Sequence, residues 1–140
     1  MQDFVHLHVH TQYSILDGQA SISKLVDKAI ADGMKGIAVT DHGDMFGIKE
    51  FFNYVNKKNG KTNGEIKDLK KRIVALEKGK IESENPEAEI MACKEQLEAT
   101  RKKLFKPIFG CEMYVARRRL FNKEGKPDQS GYHLVVLAKN

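Results

Sequence analysis

The stretch Phe4-Val5-His6-Leu7-His8-Val9-His10 alternates imidazole and apolar side chains near the start of the chain. This alternation predicts a β-strand, because successive side chains of a strand point to opposite faces. His8 and His10 would then project the same way, ~6.6 Å apart along the strand. Imidazole nitrogens that face a core need hydrogen-bond or metal partners, so the stretch indicates a metal site. The alternative interpretation is an edge strand whose histidines face solvent.

Length and composition indicate a single globular domain. The chain has 140 residues, of which 41% are hydrophobic and 31% are charged, enough for one domain with a buried core. The sequence contains neither a signal-peptide pattern nor an apolar run of membrane length, which predicts a cytoplasmic protein. Cys93 and Cys111 lack the spacing of a thiolate metal site or a disulfide framework, and both are predicted to be reduced and buried.

The net charge of +5 is distributed unevenly along the chain. Residues 61–106 contain 12 basic and 9 acidic side chains, about half of all the charged residues. Elsewhere 12 basic residues face 10 acidic ones, a balance too even to indicate nucleic-acid binding from charge alone. The concentration of charge predicts a separate unit inserted into the fold.

A strand-helix-strand unit is predicted at the amino-terminal end. Ser21 is a typical N-cap, and apolar residues recur at helical spacing from Ile22 until Gly33 ends the helix. The apolar run from Gly36 to Thr40 is typical of a strand buried in a parallel sheet, and Asp41-His42-Gly43 follows it directly. A second helix is predicted over residues 48–58.

The charged segment keeps a helical pattern of apolar residues. The spacing predicts an antiparallel helical hairpin over residues 61–105, inserted between two parts of one domain at residues 1–60 and 106–140. Asn85-Pro86 would cap and begin the return helix. The alternative is a disordered charged linker, and no chemistry is assigned to the segment. The apolar positions are Ile66, Leu69, Ile73, Leu76, Ile90, Cys93, Leu97 and Leu104.

Two further strands are predicted near the end of the chain. The first covers Ile108 to Val115 and contains Glu112 within an otherwise apolar stretch, where a carboxylate needs a partner. A turn is predicted near Gly125-Lys126-Pro127, and a core strand then covers Tyr132 to Leu137 with His133 near its start. Because no covering helix follows that strand, the sequence is expected to be a fragment of a larger fold.

Six polar residues, nearly all of them at or beside the predicted buried strands, form the candidate metal site. Imidazole and carboxylate ligands without thiolate suit zinc, manganese, iron or magnesium, and six ligands exceed what one tetrahedral ion needs. Paired ions ~3.5–4 Å apart activate water and stabilise phosphate oxygens, so phosphoester hydrolysis is the predicted chemistry. The candidate metal-binding residues are His8, His10, Asp17, His42, Glu112 and His133.

Several blocks of the sequence resemble the polymerase and histidinol phosphatase (PHP) domain family. The first two blocks run from His6 to Gly18 and from Thr40 to Gly43. The blocks from Gly110 to Val115 and from Tyr132 to Ala138 are similar to the next two blocks of that family, in the same order. The polymerase branch of the family, at the amino terminus of bacterial replicative polymerases, is the more similar one. Asp17 supports this, since histidine often fills its place in stand-alone phosphatases.

The resemblance implies an α/β fold, namely the amino-terminal part of a distorted seven-stranded β/α barrel with up to three metals at the carboxyl ends of its strands. His8 and His10 would be first-strand ligands, Asp17 a loop ligand and His42 the second-strand ligand. Glu112 and His133 would be later ligands. Catalysis through bound metal would fall to His8, His10 and His42. The family's remaining ligands, a cysteine and an Asp-x-His, belong to later strands that are expected beyond this sequence.

The resemblance also implies a function. Templated nucleotide addition would be carried by residues outside this chain, whose own chemistry would be that of a metal-dependent phosphoesterase, either a 3′-5′ exonuclease or pyrophosphatase-like. The implied partners are DNA and other replicative polymerase subunits, including a proofreading exonuclease. The alternatives are a stand-alone phosphatase of small phosphoesters such as histidinol phosphate, an amidohydrolase-type barrel, and a non-catalytic scaffold that docks the proofreading subunit. Each hypothesis that includes a metal site requires the metal-binding side chains to converge. We expect this of His8, His10, His42 and Glu112, because the ligand-bearing ends of the strands of one parallel sheet face the same way.

Overall fold

The computed structural model describes residues 4–119, 121, 124–125 and 131–139. These described residues contain four helices and three strands. The chain divides into two compact units, one of residues 1–55 with 106–140 and one of residues 56–105. No described helix has the length and apolar character needed to cross a membrane. The helices are α1 (Ile22–Ala31), α2 (Ile48–Lys58), α3 (Gly60–Glu77) and α4 (Pro86–Arg101), and the strands are β1 (Gly36–Val39), β2 (Lys106–Val115) and β3 (Tyr132–Leu137).

The predicted strand-helix-strand region contains α1 and β1 where the sequence places them. α1 follows Ser21 and buries Ile22, Val26 and Ala29 along one side, as the helical spacing predicts. Gly33 takes a φ of +77°, a left-handed conformation that glycine adopts without strain, and its N–H bonds the Ile30 carbonyl at 3.0 Å to end the helix. All four residues of β1 are buried.

The three strands form one sheet in the order β1-β2-β3. β2 pairs parallel with β1, with Ala38 opposite Ile108, and antiparallel with β3, with Met113 opposite Leu134. The expectation of an entirely parallel sheet was therefore wrong for β3. Parallel neighbours need a long crossover, usually a helix, and the described residues between β2 and β3 contain none. Of the predicted turn in this connection, Lys126 and Pro127 lie outside the described residues.

The strand predicted at the start of the chain is not formed as a regular strand. The segment runs beside β1 in the same direction, and its His6 and Val9 carbonyls accept hydrogen bonds from the N–H groups of Ala38 and Thr40, both at 2.9 Å. The two carbonyls are three positions apart in the chain but the two N–H groups are only two positions apart, so the ladder cannot stay in register. The Thr40 hydroxyl accepts the Val9 N–H at 2.8 Å in place of a backbone partner.

β3 differs from the expected core strand in its exposure. Leu134 is 52% exposed, and Tyr132 and Val136 are exposed as well. The Arg117 guanidinium lies 5.4 Å from the centroid of the Tyr132 ring but leaves that residue 62% exposed. The strand therefore matches its predicted bounds but not its predicted burial.

The second unit is a helical hairpin rather than a disordered linker. Ile73, Cys93 and Leu97 form its buried core, with Ile66, Leu69 and Ile90 packed around them. The Asn85 side chain accepts the Ala88 N–H at 3.2 Å and caps α4, as the sequence predicts. At the other end, Asn59 bonds both the N–H and the carbonyl of Phe105, at 3.1 and 2.8 Å. This double hydrogen bond places the start of α3 beside Phe105, four residues after the end of α4, so the helices run antiparallel.

Candidate metal centre

All six candidate residues come together in three overlapping groups. In each group, one nitrogen or oxygen atom from every member lies within 4.8 Å of the others. Two residues of each group recur in a neighbouring group, so the groups form one continuous cluster. The groups are His8 with His10 and Glu112, His10 with Asp17 and His42, and His42 with Glu112 and His133.

Glu112 lies at the middle of the cluster. Its Oε2 accepts hydrogen bonds from Nε2 of His8 at 2.7 Å and Nε2 of His10 at 2.6 Å, and its Oε1 accepts one from Nδ1 of His133 at 2.6 Å. The Nε2 atoms of His8 and His10 are themselves only 3.0 Å apart. The side chain of Glu112 is 8% exposed. Three imidazoles thus converge on one buried carboxylate.

The antiparallel pairing of β2 and β3 explains how Glu112 meets His133. Glu112 lies opposite Val135, and His133 lies opposite Tyr114. Residues two apart on a strand share a face, so Glu112 and His133 are diagonal neighbours on one side of the sheet. The antiparallel pairing of β3 with β2 therefore brings His133 into the cluster. The sequence reasoning did not foresee this pairing.

Glu112 is ionised at neutral pH. Burial alone would raise the pKa of this carboxyl group, but hydrogen bonds from His8, His10 and His133 stabilise its charged form and lower the pKa to about 2. The Glu112 carboxylate therefore favours its charged form, which suits cation binding.

His42 follows the end of β1, and both its side chain and its backbone make contacts that fix its position. Its Nδ1 lies 2.7 Å from Oδ2 of Asp17. Its backbone pairs in parallel with Glu112, and the Gly43 N–H bonds the Glu112 carbonyl at 2.8 Å. Nε2 of His42 is buried and, alone among the buried side-chain nitrogen and oxygen atoms of the described residues, has no hydrogen-bond partner. Burying such an atom is costly unless a partner satisfies it, so Nε2 is a nitrogen atom open to a further ligand.

Asp41 supports the cluster without being one of the six candidate residues. Its Oδ1 accepts the Thr11 N–H at 2.6 Å and the Ser14 hydroxyl at 2.8 Å, and its Oδ2 accepts the Thr11 hydroxyl at 2.9 Å. The Ser14 hydroxyl oxygen in turn accepts the His42 N–H at 2.9 Å. Sequence reasoning quoted Asp41 only as part of a motif, because an acid after a buried strand can bind either a metal or a neighbouring loop.

The turn that carries Asp17 contains an unusual conformation. Leu16 has a φ of +79°, which a non-glycine residue adopts only at a cost, and such strain is commonly found at functional sites. The Asp17 N–H bonds the Ser14 carbonyl at 3.0 Å and fixes the turn. Gly18 follows, where a Cβ atom would lie 2.1 Å from the Thr11 carbonyl oxygen. No signal in the sequence identified the strain at Leu16.

Tyr114 also borders the cluster and was missed by the sequence reasoning. Its ring centroid lies 4.9 Å from that of His42 and 5.2 Å from that of His133. The period of two along β2 places Tyr114 on the face of Glu112 and could have suggested it. His6, by contrast, stays outside the cluster, with its ring against Phe4 at 4.7 Å.

Comparison with known proteins gives the cluster its context, because the PHP domain family matches residues 6–140. The chain belongs to the PHP domain family. The DNA polymerase III subunit alpha of Borreliella burgdorferi is 34% identical to this PHP domain over 140 residues, which cover 98% of the chain and 8% of the relative. The subunit of Treponema pallidum is 33% identical over 138 residues, with the same shares. That of Aquifex aeolicus is 51% identical over 51 residues, or 36% of the chain and 4% of the relative.

The PHP domain thus spans about 8% of the length of the first two relatives. PHP domains are generally metal-dependent, and the imidazole and carboxylate groups described above fit divalent ions. Cys111 takes no part in the three groups. Its thiol lies 3.5 Å from the Asp41 carbonyl, and burial raises its pKa, which keeps it protonated.

Proposed function

We propose that this chain is the amino-terminal PHP portion of a DNA polymerase III alpha subunit. We further propose that its six clustered side chains hold two to three divalent ions for hydrolysis of phosphoesters. The observation that carries the proposal is the convergence of three overlapping ligand groups around Glu112, together with the unpartnered Nε2 of His42. Simple structural stability requires neither of these features.

The proposed roles follow from the contacts of each residue. Glu112 would contribute carboxylate oxygens to two of the ligand groups, since its two oxygens face different imidazoles. Asp17 would hold the His42 ring through Nδ1 so that Nε2 points into the cluster. The ions would activate water as a nucleophile and stabilise charge on the phosphate oxygens. His8, His10 and His42 would be the principal residues on which catalysis depends.

The proposed substrate is the 3′ end of DNA, which a 3′-5′ exonuclease would shorten. Support comes from the relatives, which are subunits of a DNA polymerase. Nucleotide addition itself would belong to segments outside these 140 residues, and the remaining metal ligands and barrel strands would also lie there. DNA, further polymerase subunits including a proofreading exonuclease, and a cytoplasmic location are part of the same proposal.

A scaffold that docks a proofreading subunit is the second candidate function. It draws support from the exposed apolar face of β3, because such a face is suited to contact with other protein segments. The stand-alone phosphatase receives no comparable support, since the relatives reported above are polymerase subunits.

Metal titration distinguishes a metal site from a purely structural cluster. We expect manganese or zinc to raise the melting temperature of the chain, because an ion that binds only the folded state stabilises it. His42→Ala should remove most of this shift by deleting the free Nε2. His6→Ala is the matched control, since His6 lies outside the cluster, and it should retain the full shift. Equal shifts in both variants would contradict the metal site.

Activity is best tested on a polymerase-length protein that contains this domain. We expect release of nucleotides from a labelled DNA 3′ end in the presence of manganese or zinc, with about 100-fold or greater loss in His10→Ala. His6→Ala should retain the activity. If His10→Ala removes bound metal while the exonuclease activity persists, the site is structural and the scaffold function is favoured.

A further inference from the structure

A groove of about 630 Å³ follows α3 and the turn after it. It lies wholly within residues 56–105 and shares no residue with the metal cluster. We call it the lysine groove. Its lining residues are Asn63, Ile66, Lys67, Lys70, Lys71, Val74, Ala75, Lys78 and Lys80.

The lysine groove corresponds to one side of the helix. Lys67, Lys70, Val74 and Lys78 recur every three or four residues, the spacing that places side chains in a row along a helix. The row extends from Asn63 to Lys78, or ~22 Å at 1.5 Å per residue. The buried core of the hairpin uses Ile73 of α3, and Ile66 contributes both to that core and to the groove, whereas none of the four residues of this row belongs to the core. The row is therefore not needed to hold α3 against α4.

The positive charge of the groove is not neutralised within the hairpin. Five lysines line it and no carboxylate does. Lys71 approaches Asp68 at 3.9 Å, whereas the other four lysines make no ion pair within the described residues. Glutamates of the hairpin are paired elsewhere, in Arg72–Glu89 and Lys94–Glu77.

The two halves of the hairpin also differ in charge. Residues 61–80 contain seven basic and three acidic side chains, whereas residues 81–101 contain two basic and six acidic ones. The basic side chains are thus concentrated on the half that contains the groove. A partner of negative charge is favoured there by simple Coulomb attraction.

The floor of the groove is apolar, and this property favours some classes of negatively charged partner over others. Ile66, Val74 and Ala75 lie between the lysines, and Val74 is 46% exposed. Contact with a phosphate backbone needs cations but no apolar floor. Proteins that bind single strands use aromatic side chains for stacking, and residues 60–104 contain none. An amphipathic helix with an apolar stripe and acidic flanks can pack its stripe on the apolar floor and pair its carboxylates with the lysines.

We propose that the lysine groove docks an acidic amphipathic helix of a partner protein. The apolar stripe of that helix lies on Val74 and Ala75, and its carboxylates pair with Lys67, Lys70 and Lys78. A partner helix of about 15 residues covers the whole row at 1.5 Å per residue. The docking is independent of the proposed metal chemistry, because no groove residue belongs to the metal cluster.

The test is a binding titration of the 140-residue chain with a fluorescein-labelled helical peptide of about 18 residues, long enough for the row. The peptide carries leucine at alternating intervals of three and four residues and glutamate on both flanks. A second peptide with the same leucines and lysine flanks is the ligand control. A single-stranded DNA oligonucleotide and a DNA duplex are titrated in parallel, and sedimentation measures self-association of the chain.

Two pairs of variants separate the groove from the rest of the hairpin. The charge pair consists of two double variants. One carries Lys67→Glu and Lys70→Glu in the groove, and the control carries Lys61→Glu and Lys103→Glu, because these two lysines lie outside the groove. The floor pair compares Val74→Asn with Met91→Asn, because Met91 is an exposed apolar residue on α4. Circular dichroism checks that each variant keeps its helices.

We expect the acidic peptide to bind, with affinity reduced about tenfold by the groove charge reversal and by Val74→Asn, and less than threefold by either control. Failure of the acidic peptide to bind at ~1 mM overturns the proposal. The proposal is also overturned if either DNA binds more tightly than the acidic peptide and Val74→Asn leaves the affinity for that DNA unchanged. That result would make the groove a phosphate-binding surface. Self-association that the groove charge reversal abolishes also overturns it and assigns the groove to a second copy of the chain.

Discussion

Asp41 connects the loop before Asp17 to the strand end that carries His42. It is buried, and its two oxygens accept three hydrogen bonds from Thr11 and Ser14. Ser14 then positions the backbone of His42. A single carboxylate thus fixes the loop before Asp17 beside the strand end that carries His42.

Replacing Asp41 by alanine should destabilise the chain strongly. The change leaves the Thr11 N–H and the Ser14 hydroxyl buried without acceptors, which costs about 3 kcal/mol of unfolding free energy. Urea denaturation measures the loss. Asp44→Ala is the control, because Asp44 accepts only an exposed bond from the Phe46 N–H, and it should cost less than about 1 kcal/mol. Equal losses in the two variants would mean that Asp41 does not organise the loop.

Leu16 provides a second prediction about a single residue. Its side chain is 99% exposed and its φ is +79°, so the side chain contributes strain but little packing. Leu16→Gly should therefore raise the unfolding free energy, by about 0.5–1 kcal/mol once the extra flexibility of unfolded glycine is subtracted. The neighbouring exposed residue Ile15 has an ordinary φ, so Ile15→Gly should lower stability. Thermal unfolding of both variants tests the contrast, and a decrease in both would exclude strain at Leu16.

At the scale of elements, the helices were predictable because their signals are local. The apolar spacing of Ile66, Leu69 and Ile73 and the cap at Asn85 each lie within a few residues of the helix that they define. The six candidate residues were also recognisable, since their types and the family's motif blocks are visible in the sequence. Their roles as metal ligands remain a prediction.

The parts that were not predictable depend on distant contacts. In the irregular pairing of the first segment, the Val9 N–H bonds the Thr40 hydroxyl instead of a backbone carbonyl, a contact between residues 31 positions apart. The direction of β3 depends on a connection that has no helix in its described part, and helical or strand periodicity does not determine it. Asp41 and Tyr114 became part of the site only through neighbours far away in sequence.

The double hydrogen bond between Asn59 and Phe105 yields a prediction about the hairpin. Because these residues are adjacent in space, residues 60–104 should be replaceable by a short glycine-serine linker. The core of the hairpin consists of its own residues, so the remaining unit should keep cooperative unfolding and its metal-induced shift in melting temperature. Loss of cooperative unfolding on this deletion would show that the rest of the chain needs the hairpin. Calorimetry with and without manganese provides both readouts.

At the scale of the whole molecule, the proposed catalysis requires more than these 140 residues. The chain covers about 8% of the length of its first relatives, and the proposed function assigns the remaining metal ligands to segments outside the chain. We expect the 140-residue chain to bind manganese or zinc weakly and to release almost no nucleotide from a DNA 3′ end. A chain extended through the later strands should do both, because a complete set of ligands positions the ions. His10→Ala in the extended chain is the control, and strong activity in the short chain that His10→Ala leaves unchanged would contradict this assignment.

The unequal charges of the hairpin halves have a consequence for kinetics. Excess positive charge on residues 61–80 and excess negative charge on residues 81–101 give the hairpin an electric dipole. In the field of a charged molecule such a dipole experiences a torque, so the basic half turns toward an approaching anion before contact. The orientation extends over about one Debye length, or ~10 Å at 0.1 M salt. Encounter rates with acidic partners should therefore fall steeply as salt is added, while dissociation rates change much less.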